Sequence, residues 1–435
     1  MAKPDLKGLE RTLRRRLEGE VRFDRGSIAL YATDSSNFRQ IPIGVVVPRT
    51  LEDVVVTHRV CRDFGAPILN RGGGTSLSGE TVNTAVVIDH SKYLTAIGEP
   101  DMVDKTVTVQ PGAINEQVNK AIGKSGYIFG PDPSSHSYCT IGGNIGNNSC
   151  GIHSIQAQLY GPGPRTSDNV HALDVVTYGG DRFTVGVNEE ARLEQIIRRG
   201  GRQGEIYRRL RDLRNKYAHL IRERFRPVTE LPRRVSGYNL DELLPERGFN
   251  VARALVGTES TCATALQATL MLTPGLFERA TVVVAYDNLE TAGNHIAEIM
   301  EWKPIGLEAI DSCLFEEERQ ENVNPGGLDK LPRPGNNAWF LVQFGADTVE
   351  EVEDVSQRFC RWLIRKKGYE KDRITVYKSR EAGGDTETLW KLREAGLGAT
   401  AFPPDNRDHW PGWEDSAVPP SKVGDYVRDL RRLYK

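Results

Sequence analysis

The chain has 435 residues, with 57 Lys and Arg against 59 Asp and Glu, a formal net charge of −2, 38% hydrophobic and 27% charged residues. That balance excludes a global pull toward nucleic acid or an anionic membrane, and the length favours two domains over a single core. Cys61, Cys139, Cys150, Cys262, Cys313 and Cys360 are scattered without a C-x-x-C, which argues against an iron–sulfur or structural zinc site in this chain and fits a reducing compartment.

The first twenty residues read as a charged helix without the apolar core of a secretory signal. No apolar run approaches the ~20 residues of a membrane span, so a cytoplasmic location is expected. Residues 43–47 form a β-branched run that ends at Pro48. Residues 51–64 have helical spacing, with Thr50 as N-cap and Glu52 and Asp53 in the first turn. Strands are expected at 67–69, 85–89 and 106–110, a helix at 114–125, and a hairpin from 173–178 and 182–185 across the turn 179–181. Residues 188–227 are strongly basic. Ile206, Leu210, Leu213, Tyr217 and Leu220 make one apolar face of a helix there, and the arginines read as its solvated face. Residues 254–256 read as a β-like run. A composition break at 273–275 divides a domain at 1–273 from one at 274–435. The second domain has strands at 281–286 and 339–344 and helices around 290–300 and 349–367. Mixed elements without strict βαβ alternation favour α+β. Residues 425–435 are still helical, with no cap to close them, and this predicts an interrupted domain.

Two glycine-rich segments stand out: PILNRGGGTSLSG at 67–79 and GPDPSSHSYCTIGGNIGNNSCG at 130–151. Consecutive glycines let backbone amides approach a ligand, and amides turned inward hold an anion such as a pyrophosphate. The first loop is not the Rossmann fingerprint, because Gly72 and Gly74 match G-x-G but the third position is Leu77. Gly123-Lys124-Ser125 mimics the end of a P-loop, but the glycine required five residues earlier is Val118. A phosphate-binding NTPase therefore fails.

The combination RGGGTSLSG, FGPDPSSHSYCTIGGNIGNNSCG, YGPGPRTSDNV and VGTES resembles the FAD-linked oxidases of the vanillyl-alcohol-oxidase type, which include D-lactate, glycolate and D-2-hydroxyglutarate dehydrogenases. The stretch from Arg393 onward resembles the large members fused to an iron–sulfur portion. The resemblance implies a PCMH-type FAD-binding domain of two subdomains, followed by a partial α+β FAD-linked oxidase C-terminal domain. It implies that Arg71, Gly72, Gly73, Gly74, Thr75, Ser76 and Gly79 cradle the FAD pyrophosphate. Pro131, Asp132, Pro133, Ser134, Ser135, Thr140, Gly142, Gly143 and Asn144 would run along the flavin and diphosphate. Asn147, Ser149, Gly151, Gly257, Thr258 and Glu259 would complete the site. Thr75 stands where some relatives carry a covalently linking histidine, so noncovalent FAD is expected. His136 and His153 read as ordinary loop residues.

In the family's dehydrogenases an arginine of an LRE motif pairs with the substrate carboxylate, and Leu392-Arg393-Glu394 matches it. Where small members have a lysine, this chain has Trp413-Glu414-Asp415. No histidine stands in a motif like H-x-G-D-G-x-x-H, which supplies relatives with a base and, in some, a metal site. That motif and the iron–sulfur portion are expected beyond Lys435. No catalytic residue or metal ligand is assigned. The expected chemistry is oxidation of a D-2-hydroxy acid, 2-hydroxyglutarate ahead of lactate or glycolate, by hydride transfer to flavin. The alternative is a flavin-binding or assembly module without turnover.

Overall fold

The computed structural model describes residues 5–188, 190–227, 229–322, 324–332, 338–379, 385–401 and 416–435, with the backbone alone at 397–401. His409 and the Trp413-Glu414-Asp415 stretch lie outside the described residues.

Three four-stranded sheets organise the chain. The first takes β1 (Glu20–Arg22), β2 (Gly44–Val47), β3 (Ile68–Arg71) and β4 (Val86–Asp89) in the order β1-β2-β4-β3. Its β2–β4 and β3–β4 pairs are parallel, as suits the wholly buried β2 and β4, which are apolar except for Asp89 at the end of β4. The helix Leu51–Phe64 crosses between β2 and β3. Thr50 and Asp53 close a capping box at its start, and Gly65 ends it at φ 66°.

The second sheet is antiparallel, in the order β5-β9-β7-β8, from β5 (Thr106–Val109), β7 (Val170–Val176), β8 (Arg182–Val185) and β9 (Thr264–Met271). The short β6 (Tyr127–Ile128) pairs with β10 (Thr273–Pro274). The basic helix spans Gly201–Arg224. Ile206, Leu210 and Leu213 pack on the core of this unit, whereas Tyr217 and Leu220 stay exposed. Several of its arginines pair with the chain's own acids, as in Arg211–Glu194 at 2.8 Å and Arg222–Glu246 at 2.6 Å. One sequence reading is overturned. Residues 254–256 are not a strand but mostly the end of the helix Val251–Leu255, which starts where the Asn250 side chain accepts from the Arg253 amide. Three apolar residues carry no periodicity that separates strand from helix.

The third sheet is antiparallel in the order β12-β13-β11-β14, from β11 (Glu278–Tyr286), β12 (Gly306–Asp311), β13 (Ala338–Ala346) and β14 (Ile374–Ser379). Both faces are covered. Val282, Val284, Val342 and Phe344 face the core packed by the helices Leu289–Met300 and Val349–Lys367. Val283, Ala285, Ile310 and Leu341 face Ile152 of the second glycine segment and Leu389, Trp390 and Leu392 of the helix Asp385–Ala401. Strand alternation therefore puts Arg279, Thr281, Glu308 and Gln343 on the face turned toward the glycine segments. Burying each such apolar side chain contributes about 1.5–3 kcal/mol. The helix Val423–Leu433 lies on Leu289–Met300, with Arg431 2.7 Å from Glu290.

Candidate functional site

The two glycine segments meet. A Cβ at Gly72 would stand 2.1 Å from Thr140 Oγ1, and one at Gly73 would stand 2.4 Å from the Tyr138 carbonyl oxygen. Glycine is required at both positions because the second segment occupies the space a side chain would need. Gly74 turns the loop at φ 67°. Thr140 caps the helix Ile141–Asn147 and accepts from the Gly143 amide at 3.2 Å. A Cβ at Gly142 would meet Pro111, and one at Gly151 would meet the Asp132 carbonyl.

Two adjoining clefts follow this contact. The inner one runs between the first two sheets and is lined by Arg71, Gly72, Thr140, Gly142, Gly143, Asn147, Thr258 and Glu259, with Leu173 and Val175 as an apolar wall. The outer one is lined by Gly72, Gly73, Gly74, Thr75, Ser76, Pro133, Ser134, Ser135, Thr140, Gly143, Asn144, Asn147, Ser149, Gly151 and Arg393. Most of the sequence-predicted residues are thus brought together around one continuous space. Gly79, Pro131 and Gly257 are outside both linings and act from behind. Gly79 packs at φ 82° against Phe38, Asn115 Nδ2 donates to the Pro131 carbonyl at 2.9 Å, and the Gly257 amide donates to the Ile145 carbonyl at 2.8 Å.

The linings fit an extended dinucleotide with a diphosphate at its centre. Close packing enforces glycine at Gly72, Gly73, Gly142 and Gly151, the hydroxyl residues Thr75, Ser76, Ser134 and Ser135 line the outer cleft, and the buried Asn144 Nδ2 has no partner. Arg71 stacks over Tyr31 and donates to the Tyr31 and Thr81 carbonyls, each at 3.4 Å. Burial pushes the Cys139 thiol, which also lines the outer cleft, up to about 12.

Arg393 reaches the outer cleft from the helix Asp385–Ala401, and its Nε donates to Glu308 Oε2 at 2.9 Å. Arg233 lines the same cleft. Sequence reasoning missed both Glu308 and Arg233. Alternation in Gly306–Asp311 turns Leu307 and Ala309 into one core and leaves Glu308 on the opposite face, so that signal was available. Nothing local marks Arg233.

Asp132 turns its carboxylate away from the cofactor clefts. Its Oδ2 lies 2.5 Å from His153 Nδ1, and its Oδ1 lies 3.5 Å from His136 Nδ1. His153 Nε2 stands 2.8 Å from Gln343 Oε1 and 3.4 Å from Arg279 Nη1. His136 Nε2 lies 4.0 Å from Glu394. Burial works to raise the Asp132 carboxyl, but the His153 hydrogen bond and the His153, His136 and Arg279 charges hold it below its usual range. Both histidines lie in loops as read from the sequence, and His153 also joins Asp132 of the second glycine segment to Gln343 and Arg279 of the third sheet. Along the inner cleft, His90 Nε2 is 2.8 Å from Asn70 Oδ1, Asn70 Nδ2 donates to Thr264 Oγ1 at 2.7 Å, and Thr264 Oγ1 is 3.0 Å from His58 Nε2. Burial lowers both imidazoles to about 4, so both are neutral near pH 7.

Among the described residues, no group of three or more His, Cys, Asp or Glu is placed to hold a metal ion, and no helix is long and apolar enough to cross a membrane.

Comparison with known proteins agrees with this geometry. Residues 42–186 match the family described as FAD binding domain, and residues 277–435 match the family described as FAD linked oxidases, C-terminal domain. The D-2-hydroxyglutarate dehydrogenase of Pseudomonas putida is 30% identical over 425 residues, 95% of this chain and 41% of that protein. The protein of that name from Escherichia coli K12 is 26% identical over 411 residues, covering 92% of this chain and 39% of its own length. The glycolate oxidase subunit GlcD of Bacillus subtilis is 27% identical, covering 96% and 74%. The chain spans about two fifths of the length of the D-2-hydroxyglutarate dehydrogenases it matches. A solved alkyldihydroxyacetonephosphate synthase shares the fold, with a TM-score of 0.57 at 14% identity over 90% of this chain and 64% of the other. With an FAD binding domain followed by this C-terminal domain, the chain belongs to the FAD-linked oxidases.

Proposed function

We propose that the chain is the flavin-bearing part of an oxidoreductase acting on a D-2-hydroxy acid, with 2-hydroxyglutarate ahead of lactate or glycolate. The observation that carries this is the position of Arg393, on the outer cleft whose other wall is the two glycine segments. Its planar fork suits the α-carboxylate, which it binds bidentately. Arg233 on the same cleft supports a second carboxylate on the substrate, and D-2-hydroxyglutarate dehydrogenases stand among the relatives.

The amides of residues 72–74 and the hydroxyls of Thr75, Ser76, Ser134 and Ser135 hold the cofactor, Gly142 and Gly143 leave room for it, and Asn144, Asn147, Ser149 and Gly151 close the outer wall. When bound, FAD supplies the hydride acceptor for the substrate α-carbon. The protein's own task is to fix the substrate carboxylate so that the α-carbon is presented in one orientation. Glu308 keeps the Arg393 guanidinium turned into the cleft. We place the base, and an iron–sulfur portion that takes the electrons, in the length of the relatives that this chain does not span. A division of the chain near 273/274 is supported by the second sheet ending at Met271 and the third beginning at Glu278, with β10 at Thr273–Pro274 still paired to β6 of the first unit.

A flavin-binding or assembly module without turnover is the second reading. It is favoured by one observation: among the described residues no histidine lines the cleft that holds Arg393. Anaerobic mixing of the FAD-loaded chain with D-2-hydroxyglutarate, D-lactate and glycolate separates the two. Bleaching of the flavin absorbance, fastest with the dicarboxylate, is the expected result for the oxidoreductase. Bound flavin that stays yellow with all three acids identifies the module.

A further inference from the structure

Glu80 stands where the inner and outer clefts join, beside Thr81, Thr140 and Gly143. Its Oε2 is buried and has no hydrogen-bond partner. Two acids bear on it. Glu259 lines the inner cleft from the segment after Val251–Leu255. Asp34, from the loop before β2, accepts from Thr81 Oγ1 at 2.7 Å. Three arginines line the clefts: Arg71 on the inner one, its guanidinium already directed to the Tyr31 and Thr81 carbonyls, and Arg233 and Arg393 on the outer one, Arg393 being held by Glu308. His90, also on the inner cleft, is neutral.

This arrangement sets a physical problem. The junction of the clefts is where the diphosphate of an extended dinucleotide must pass. A carboxylate there would add like charge to a half-enclosed space already facing Glu259 and Asp34, and its orphaned oxygen would have no donor to accept from. A protonated carboxyl resolves both difficulties, because it gains an O–H donor for an oxygen of the ligand and loses its charge.

We propose that Glu80 is a proton-gated ligand of the FAD: its carboxyl donates a hydrogen bond to the cofactor's diphosphate–ribitol region when protonated and repels it when ionised. The proposal rests on the cleft being the FAD site. Burial raises the Glu80 carboxyl above the usual carboxylate range; the Glu259 and Asp34 charges add to it, and backbone hydrogen bonds from Glu80 and Ser78 work against it. Binding then takes up a proton. By linkage, affinity falls as pH rises through the titration of Glu80, by up to about tenfold per pH unit. The diphosphate stays doubly ionised across that range and contributes no slope.

The test is FAD titration of the flavin-stripped native chain, Glu80→Gln and Glu80→Ala, followed by flavin fluorescence between about pH 5 and about pH 8. The native dissociation constant is expected to rise at least about tenfold across this range. Glu80→Gln keeps a donor and has nothing to titrate, so it should bind tightly with a flat profile and exceed the native chain at the upper end. Glu80→Ala should also be flat, but about tenfold weaker than the native chain at the lower end. Thermal melting of each variant at each pH checks that the fold is intact. A native profile that is flat, or a slope that survives in Glu80→Gln, overturns the proposal while leaving the FAD site standing. Native chain that takes up no FAD at any pH overturns the site itself and the proposal with it.

Discussion

Arg393 and Glu308 form an ion pair at 2.9 Å on the outer cleft, one from the helix Asp385–Ala401 and the other from β12. Glu308 is the more enclosed partner, with 13% of its side chain exposed against 34% for Arg393. The pair therefore anchors the guanidinium through Nε. Arg393→Ala is expected to raise the half-saturating concentration of the 2-hydroxy acid by about 10- to 100-fold, the loss of one charge-assisted bidentate contact. FAD affinity should stay within about threefold, a smaller change than one lost hydrogen bond. Arg393→Lys restores the charge but not the fork and should recover only part of the loss. Flavin bleaching against substrate concentration, alongside FAD titration, measures both. An Arg393→Ala chain that saturates like the native one removes Arg393 from substrate binding.

Gly143 gives the sharper test of the cofactor cleft. It lines both clefts, and a Cβ added there meets only Thr140 Oγ1, at an ordinary 3.5 Å. Gly73 looked equally suitable in the sequence, but any side chain at that position drives into the Tyr138 carbonyl at 2.4 Å, so its loss would disturb the loop as well as the ligand. Gly143→Asp places a carboxylate at the phosphate path on a helix whose first turn accepts acidic residues. It is expected to cut FAD affinity by more than about 100-fold through like charge, with the melting temperature unchanged. Gly143→Ala should bind FAD and gain about 0.5–1 kcal/mol of stability from helix propensity. Retained FAD affinity in Gly143→Asp would take the helix start out of the site.

How much of this was legible in the sequence depends on the range of the signal. The loop residues 71–76 and 140–144 could be read because glycine, threonine and serine at consecutive positions constrain the local backbone whatever surrounds them. The helix Leu51–Phe64 was equally readable, since Thr50 and Asp53 cap it within four residues. The Asp132–His153–Gln343 joint was not, because it brings together residues 21 and 190 positions apart, and a lone histidine in a loop carries no mark of its partner. Residues 254–256 failed for a different reason: the Asn250 cap decides helix over strand, and three apolar residues do not.

Noncovalent attachment is testable without substrate. Thr75 lines the outer cleft at the position where a linking histidine would stand. The thiol nearest the first loop, Cys139, is held protonated by burial, with its titration pushed up to about 12, and a thiol is a poor nucleophile until ionised. Acid precipitation of the yellow protein should therefore leave all the flavin in the supernatant. Yellow colour or flavin fluorescence retained in the washed pellet would show a covalent bond.

The buried histidines give the fold its own acid limit. His58 and His90 sit on either side of Asn70 and Thr264, joining the first sheet to the second along the inner cleft. Burial lowers both from 6.5 to about 4, with the charge of His90 adding to the effect on His58. The unfolded chain therefore binds more protons than the folded chain between about pH 6.5 and about pH 4. Their contribution to stability is fully present above the unfolded value near 6.5. It is lost as pH falls toward 4, and each residue costs at most on the order of 3 kcal/mol. Carboxylates held low by ion pairs, such as Glu20 and Glu246 at about 2, lose their contribution only at more acid pH, so the two effects are separable. His90→Gln can keep a polar contact to Asn70 Oδ1 without a titrating ring. It should melt below the native chain at about pH 7 because packing is imperfect, and the gap should narrow or reverse near pH 4.5. Melting curves of both proteins across this range decide it. Parallel pH profiles would mean that His90 is not the group whose protonation opens the joint between the sheets.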